Sequence, residues 1–332
     1  MIVNAKFCFS LIVFTILTSE NVIAKIRQYY GDEDDGYGRY EEKRGYAVGN
    51  KPLIIMGKDA NIKDFPYVVF MTGINEEGEG NEEISEEGGD NLWGCTGLIL
   101  TSTVILTNAK CLTPDIYDIT MNRTLSFTNA YIKAGVTNRD DPRAKKIFFT
   151  KGIVHTNYSV NHNKHMQYNV ALVKLNKPLC KSKTIQPLKF ATEADFEQAN
   201  KIGTVLGWGW TKAIAGSISN TLQQIKLKKV PDDECDILTD NFMGDDMFCT
   251  MNLNNTFEGG LCKGDFGGPF IVNNKVYAIG ATWVSGCTSA NYFVNVADPE
   301  VKSWIKKTCL KLHYETSRKR RPNRPNRRPL NK

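Results

Sequence analysis

No stretch of this chain is apolar for long enough to cross a membrane. The longest such run, Phe7 to Leu17, has about 11 residues, against the roughly 20 that a spanning helix needs. Histidine is scarce, at four residues in 332, and no two cysteines stand in C-x-x-C spacing, so no metal centre and no cofactor are expected. Strand-like runs do not alternate with amphipathic helices, which argues against a parallel α/β sheet. Internal repeats are absent as well. The formal charge of +6 is uneven: residues 311–332 carry nine Lys or Arg and one Glu, or +8, and residues 1–53 balance to zero. The central region 54–310 is therefore left at −2, an ordinary globular surface.

What is present begins with a secretion signal. Lys6 supplies the positive start, Phe7 to Leu17 the apolar run, and Val22-Ile23-Ala24 the small-residue exit, so residues 1–24 are expected to be removed and Lys25 to begin the mature, extracellular protein. Cys8 leaves with the signal. Eight cysteines remain, at 95, 111, 180, 235, 249, 262, 287 and 309, an even number that fits four disulfides in an oxidising compartment. Eight cysteines allow about 105 pairings, and counting alone does not choose among them.

Residues 25–53 hold Asp32-Glu33-Asp34-Asp35 and then Lys43-Arg44 without apolar periodicity, a solvated leader with a dibasic pair that could be processed. Short runs rich in Val, Ile and Thr follow, at 65–71, 96–101, 104–108, 130–136, 147–155, 170–175, 202–207, 222–229 and 270–283. The last carries Asn273-Asn274 where a hairpin turn belongs. Many strands at short intervals predict an all-β barrel or sandwich. A helix is predicted over about 299–312, where Pro299 suits the first turn and Val301, Trp304, Ile305, Cys309 and Leu312 recur at helical steps. Residues 75–90 carry seven glutamates and Asp90 among glycines, read as a surface loop or as a binding loop for a basic partner. The tail 311–332 is read as unfolded and able to hold a sulfated or heparin-like polyanion by charge; nucleic acid is not expected to reach a secreted protein. Arg318 to Arg321 also has the form of a multibasic processing site.

Several motifs resemble the chymotrypsin and trypsin family of serine proteases over residues 54–310. Gly264-Asp265-Phe266-Gly267-Gly268-Pro269 resembles the nucleophile loop G-D-S-G-G-P, and Leu106-Thr107-Asn108-Ala109-Lys110-Cys111 resembles L-T-A-A-H-C. Asn169-Val170-Ala171-Leu172-Val173-Lys174-Leu175 resembles D-I-A-L-L-x-L, and Ile54-Ile55-Met56-Gly57 resembles the mature start I-V-G-G. Gly207-Trp208-Gly209 and His155 match further landmarks. The resemblance implies an all-β fold of two six-stranded antiparallel β-barrels with a C-terminal α-helix. It also locates the catalytic slots, which here hold Lys110, Asn169 and Phe266 in place of His, Asp and Ser.

Acyl transfer of this kind needs a hydroxyl nucleophile, an imidazole base and an orienting carboxylate. None of the three residue types stands in its slot. A lysine can serve as a base when desolvated, but Lys110 has no serine to activate. The backbone N–H groups of Gly264 and Phe266 remain as an oxyanion-hole remnant, worth about 10³–10⁴ over water at best. By the resemblance, Asp265 is the acid that pairs with a freed N-terminal ammonium, but Leu53 precedes Ile54, so a tryptic cut there is not expected and a zymogen-like single chain is. Gly260 stands where trypsin has its pocket acid, and Val284 after Trp283 replaces a glycine.

The resemblance also implies the disulfides Cys95–Cys111, Cys235–Cys249 and Cys262–Cys287, with Cys180–Cys309 assigned by elimination. Asn122, Asn157 and Asn254 begin N-x-[ST] sequons and are candidate glycan sites. Three functions compete: a secreted non-catalytic homologue that binds proteases or their substrates, similar to insect serine protease homologues of immune cascades or venom; an endopeptidase with atypical catalytic residues; and a polyanion binder acting through its tail.

Overall fold

The computed structural model describes residues 57–74, 92–112, 124–125, 130–160, 166–211, 218–238, 244–256, 259–283, 287 and 290–319. All of them belong to the unit Asn50–Lys332. The signal segment, the leader, the acidic segment 75–90 and Asn122 lie outside the described residues.

The strands in chain order are β1 (Lys58–Asp59), β2 (Val68–Ile74), β3 (Leu92–Thr101), β4 (Val104–Thr107), β5 (Thr124–Leu125), β6 (Tyr131–Ala134), β7 (Lys145–Val154), β8 (Ser159–Val160), β9 (Met166–Gln167), β10 (Ala171–Leu175), β11 (Ile202–Gly207), β12 (Gln223–Lys229), β13 (Met247–Asn252), β14 (Pro269–Val272), β15 (Lys275–Trp283) and β16 (Asn291–Asn295). The first sheet runs β10-β4-β3-β2-β6-β7 and closes through β10–β7, with the two-residue β5 flanking β7. The second runs β12-β11-β14-β15-β16-β13 and closes through β12–β13, flanked by β1. The expected two six-stranded antiparallel barrels are therefore what the chain forms. Closure removes the unpaired edges that would otherwise template aggregation.

Local chemistry explains the elements. Asn273 and Asn274 both take positive φ, 47° and 58°, the conformation a two-residue type I′ hairpin requires and asparagine tolerates. Among the described residues three α-helices accompany the strands: α1 (Glu193–Gln198), α2 (Asp232–Leu238) and α3 (Pro299–Lys319). In α1 the Thr192 hydroxyl accepts from Asp195 N while the Asp195 carboxylate accepts from Thr192 N, a capping box that satisfies two orphan donors. In α3 the Asp298 carboxylate accepts from Glu300 N at 2.9 Å and Val301 N at 3.0 Å, so the helix starts at Pro299, as the sequence indicated. It runs to Lys319, the last described residue and seven beyond the predicted limit of 312, so the first part of the basic tail is helical.

Val301, Ile305 and Leu312 are buried on the inner face of α3 within the larger core cluster. The second barrel is filled by rings: Phe196 stacks on Tyr277 with centroids 4.0 Å apart, and Phe248 and Phe270 meet edge to face at 5.5 Å. Trp208, 1% exposed, meets Phe70 edge-on at 5.9 Å and donates from Nε1 to Thr137 O at 3.1 Å. Phe70 belongs to the first barrel, so one side chain ties both together; truncating it to alanine would cost about 3–5 kcal/mol.

Candidate functional site

The three substituted slots converge where the barrels meet. Lys110 lies half-buried in the single 3₁₀ turn Ala109–Leu112 after β4. Asn169, fully buried, immediately precedes Val170 and β10. Its carboxamide oxygen accepts from Lys110 N at 3.0 Å, and its Nδ2 donates to Ala281 O on β15 at 3.0 Å. Asn108 makes the parallel link, accepting from Lys110 N at 2.9 Å and donating to Gly280 O at 2.9 Å. Two asparagines thus stitch the former histidine turn to the second barrel. A carboxylate at 169 has no hydrogen to give to Ala281 O.

Phe266 is half-buried, and its carbonyl accepts from Thr96 N at 2.8 Å. Thr96 follows Cys95, and Cys95 is bonded to Cys111 beside Lys110, so the nucleophile loop and the histidine turn are fixed to one another by backbone and disulfide. Neither Gly264 N nor Phe266 N has a hydrogen-bond acceptor among the described residues. Gly264 has φ +99°, open to glycine and strained for other residues. Phe266 puts a benzyl ring where a hydroxyl would be.

Asp265 is fully buried. Its carboxylate accepts from Gly209 N at 2.7 Å and Cys262 N at 3.0 Å. Side chains at 207 or 209 would overlap it, which explains the glycines on either side of Trp208. Burial pushes its pKa from 3.8 up to about 7, against the two N–H groups that pull it down. Ile54 lies outside the described residues.

Where the resemblance places trypsin's pocket acid, a side chain has no room. Gly260 has φ +138°, and a Cβ there would overlap the Asn291 carboxamide. Asn291, 2% exposed, accepts from Leu261 N at 2.5 Å. The Leu261 side chain is buried against Gly280. Sequence reading missed Asn291, because nothing local marks a residue that acts 30 positions from its partner. β15 reaches Trp283, whose side chain lies outside the described residues, as does Val284.

His155 lies in the interior. It is 2% exposed, stacks on Tyr168 with centroids 4.7 Å apart, and lies 4.8 Å from the Trp304 ring. Its Nδ1 accepts from Asn157 N at 3.1 Å, and Nε2 has no partner among the described residues. Burial lowers its pKa to about 4, partly opposed by Glu300 and Asp298. Of the sequons, Asn254 is exposed after β13, whereas Asn157 Nδ2, the atom a glycan would occupy, donates to Glu300 Oε1 at 3.1 Å. Among the described residues no group of three or more His, Cys, Asp or Glu is placed to hold a metal, and no helix is long and apolar enough to cross a membrane.

Three disulfides form as implied: Cys95–Cys111, Cys235–Cys249 and Cys262–Cys287. The fourth does not. Cys180 and Cys309 are both free thiols. Leu179 N donates to Ser102 O at 2.7 Å and Ser182 N to Ile185 O at 2.9 Å, pinning the loop on both sides of Cys180 and leaving its thiol in solvent. Cys309 sits half-buried on α3 near Lys174.

Two closed antiparallel barrels meeting at a disulfide-framed glycine loop define a chymotrypsin-like all-β protein. The Trypsin family profile matches residues 54–305, and the chain belongs to that family. It is 29% identical over 271 residues to a protein named Trypsin from Sarcophaga bullata, covering 78% of this chain and 90% of that one. It is 31% identical over 221 residues to Trypsin eta of Drosophila melanogaster, covering 64% of this chain and 76% of that one.

Proposed function

We propose that this member of the trypsin family is a secreted, non-catalytic homologue that binds other extracellular proteins, as a decoy or cofactor for a protease or for a protease's substrate. One observation carries the reading. Asn169 spends both ends of its carboxamide on backbone groups, Lys110 N and Ala281 O, in the slot where catalysis needs a carboxylate. Phe266 offers no nucleophile, and Lys110 offers no imidazole. Losing the triad costs about 10⁶-fold in kcat in such enzymes. The barrels, three disulfides and the Asp265 anchor remain, so the fold still presents a rigid surface.

The relatives named trypsin make proteolysis the competing reading, and the filled space beside Gly260 weighs against a basic side chain entering there. The test is a reconstituted digestion, in which an active trypsin-like protease cuts a protein substrate with and without a stoichiometric amount of the chain. A changed rate with no new cleavage products supports binding without catalysis. Hydrolysis of the substrate by the chain alone overturns it.

A further inference from the structure

The sequon Asn254-Asn255-Thr256 takes no part in the substituted slots. It stands in the turn after β13, whose last residue, Asn252, is 7% exposed. The Asn252 carboxamide shapes that turn. Its oxygen accepts from Asn254 N at 2.9 Å and Thr256 N at 3.0 Å, and its Nδ2 donates to Thr256 Oγ1 at 2.5 Å. Asn252 N donates to Thr256 O at 3.0 Å, which closes the turn on itself. Asn255 takes φ +59°, a conformation asparagine tolerates, and Lys228 Nζ on β12 donates to its side-chain oxygen. The side chains of Asn252, Asn255 and Thr256 are thereby engaged. That of Asn254 is exposed and has no hydrogen-bond partner among the described residues. Leu253 beside it is 46% exposed.

The sequon Asn157-Tyr158-Ser159 is presented in the opposite way. Asn157 Nδ2 donates to Glu300 Oε1 at 3.1 Å, and Tyr168 Oη donates to Glu300 Oε2 at 2.8 Å. Asn157 N donates to His155 Nδ1 at 3.1 Å, and Tyr158 is 2% exposed. Glu300 lies in the first turn of α3, so a sugar on Asn157 Nδ2 would stand against the start of that helix. Asn122 lies outside the described residues.

We propose that Asn254 carries an N-linked oligosaccharide, in preference to Asn157. The reaction joins Nδ2 to the anomeric carbon of a sugar held on a lipid pyrophosphate. The N–C bond forms as the C–O bond to pyrophosphate breaks. The lipid pyrophosphate leaves, and the carboxamide gives one proton to a base of the transferase. The acceptor sequence is N-x-[ST] with no proline between, and Asn255 meets that condition. At position 254 the oligosaccharide extends from a fixed turn into solvent, shields Leu253 and displaces no bond. At position 157 it displaces a link to α3. The proposal rests on the reading that the chain is secreted.

The test is expression of residues 25–332 in cultured insect cells behind a signal peptide of that host. A failure of the natural signal is then not mistaken for a failure of the site. Purified chain, with the host signal removed, is treated with a peptide N-glycosidase insensitive to core fucose in heavy-oxygen water, and its peptides are sequenced by mass spectrometry. Asn254 is expected to read as heavy-oxygen aspartate and to be the more occupied of the two sites. Asn254→Gln is expected to lose the mass of one glycan, and Thr256→Ser to keep it. The peptide map of the unaltered chain decides the matter even where a variant fails to fold. An unmodified Asn254, or occupancy of Asn157 equal to or above that of Asn254, would overturn the proposal.

Discussion

The Asn169 carboxamide accepts from Lys110 N and donates to Ala281 O, both at 3.0 Å. One neutral side chain thereby joins the two barrels at the point where the family places a charged one.

Restoring that charge should therefore harm the fold. Asn169→Asp replaces the donor to Ala281 O with an acceptor, at a fully buried position. The expected loss is about 1–3 kcal/mol at neutral pH. It should shrink in acid, where a protonated carboxyl can donate again. Urea unfolding at two pH values checks this; equal or greater stability of the variant at neutral pH would refute it.

Two buried groups set opposite limits on stability with pH. Asp265 is raised from 3.8 to about 7, so the folded chain holds this proton more tightly than the unfolded one. Its contribution is full below 3.8 and is lost as pH rises through about 7. His155 is lowered from 6.5 to about 4, so its contribution is full above 6.5 and is lost as pH falls through about 4. Asp265→Asn should flatten the alkaline side of the stability profile, and His155→Phe, which keeps a ring between Tyr168 and Trp304, the acid side. Unfolding midpoints between about pH 4 and pH 8 separate the two.

Thiol counting tests the disulfide framework. The chain expressed without residues 1–24, denatured without reductant, should react at two thiols, Cys180 and Cys309. In the native state Cys180 is exposed and should react first. Cys309 is half-buried with its thiol pKa raised by burial, so it should lag, because the thiolate is the reactive form. No reactive thiol in denatured chain would mean that the two are paired after all.

Asn291→Ala should cost about 1–3 kcal/mol by leaving Leu261 N unpaired in the interior. It should not create affinity for a benzamidine-type cation, since no acid stands at Gly260. Unchanged stability in a thermal melt would show that the carboxamide is not the partner Leu261 N depends on.

How far the sequence foretold this structure differs from one feature to the next. Strand positions and the Asn273-Asn274 turn were legible because runs rich in Val, Ile and Thr and turn chemistry are local, whereas the three disulfides were legible through the resemblance to the trypsin family. The slots of Lys110, Asn169 and Phe266 were legible for the same reason. The fourth disulfide was inferred by assuming that every secreted cysteine finds a partner, which ignores the backbone ties that hold Cys180 in solvent. The extent of α3 was underestimated because the apolar periodicity that marked it stops at Leu312. A run of Lys, Leu and Glu continues a helix well, and the first proline after Pro299 is Pro322. α1, six residues long, is too short for periodicity to show. The Asn291 contact depends on two strands meeting in space, which no local pattern records.

The central claim is that the site holds no working nucleophile, and a fluorophosphonate probe tests it most directly. Purified folded chain, treated with excess probe and analysed by intact and peptide mass spectrometry, should carry no adduct on residues 264–268 or on Lys110. A stoichiometric adduct there, formed by folded chain and abolished by denaturation, would contradict it.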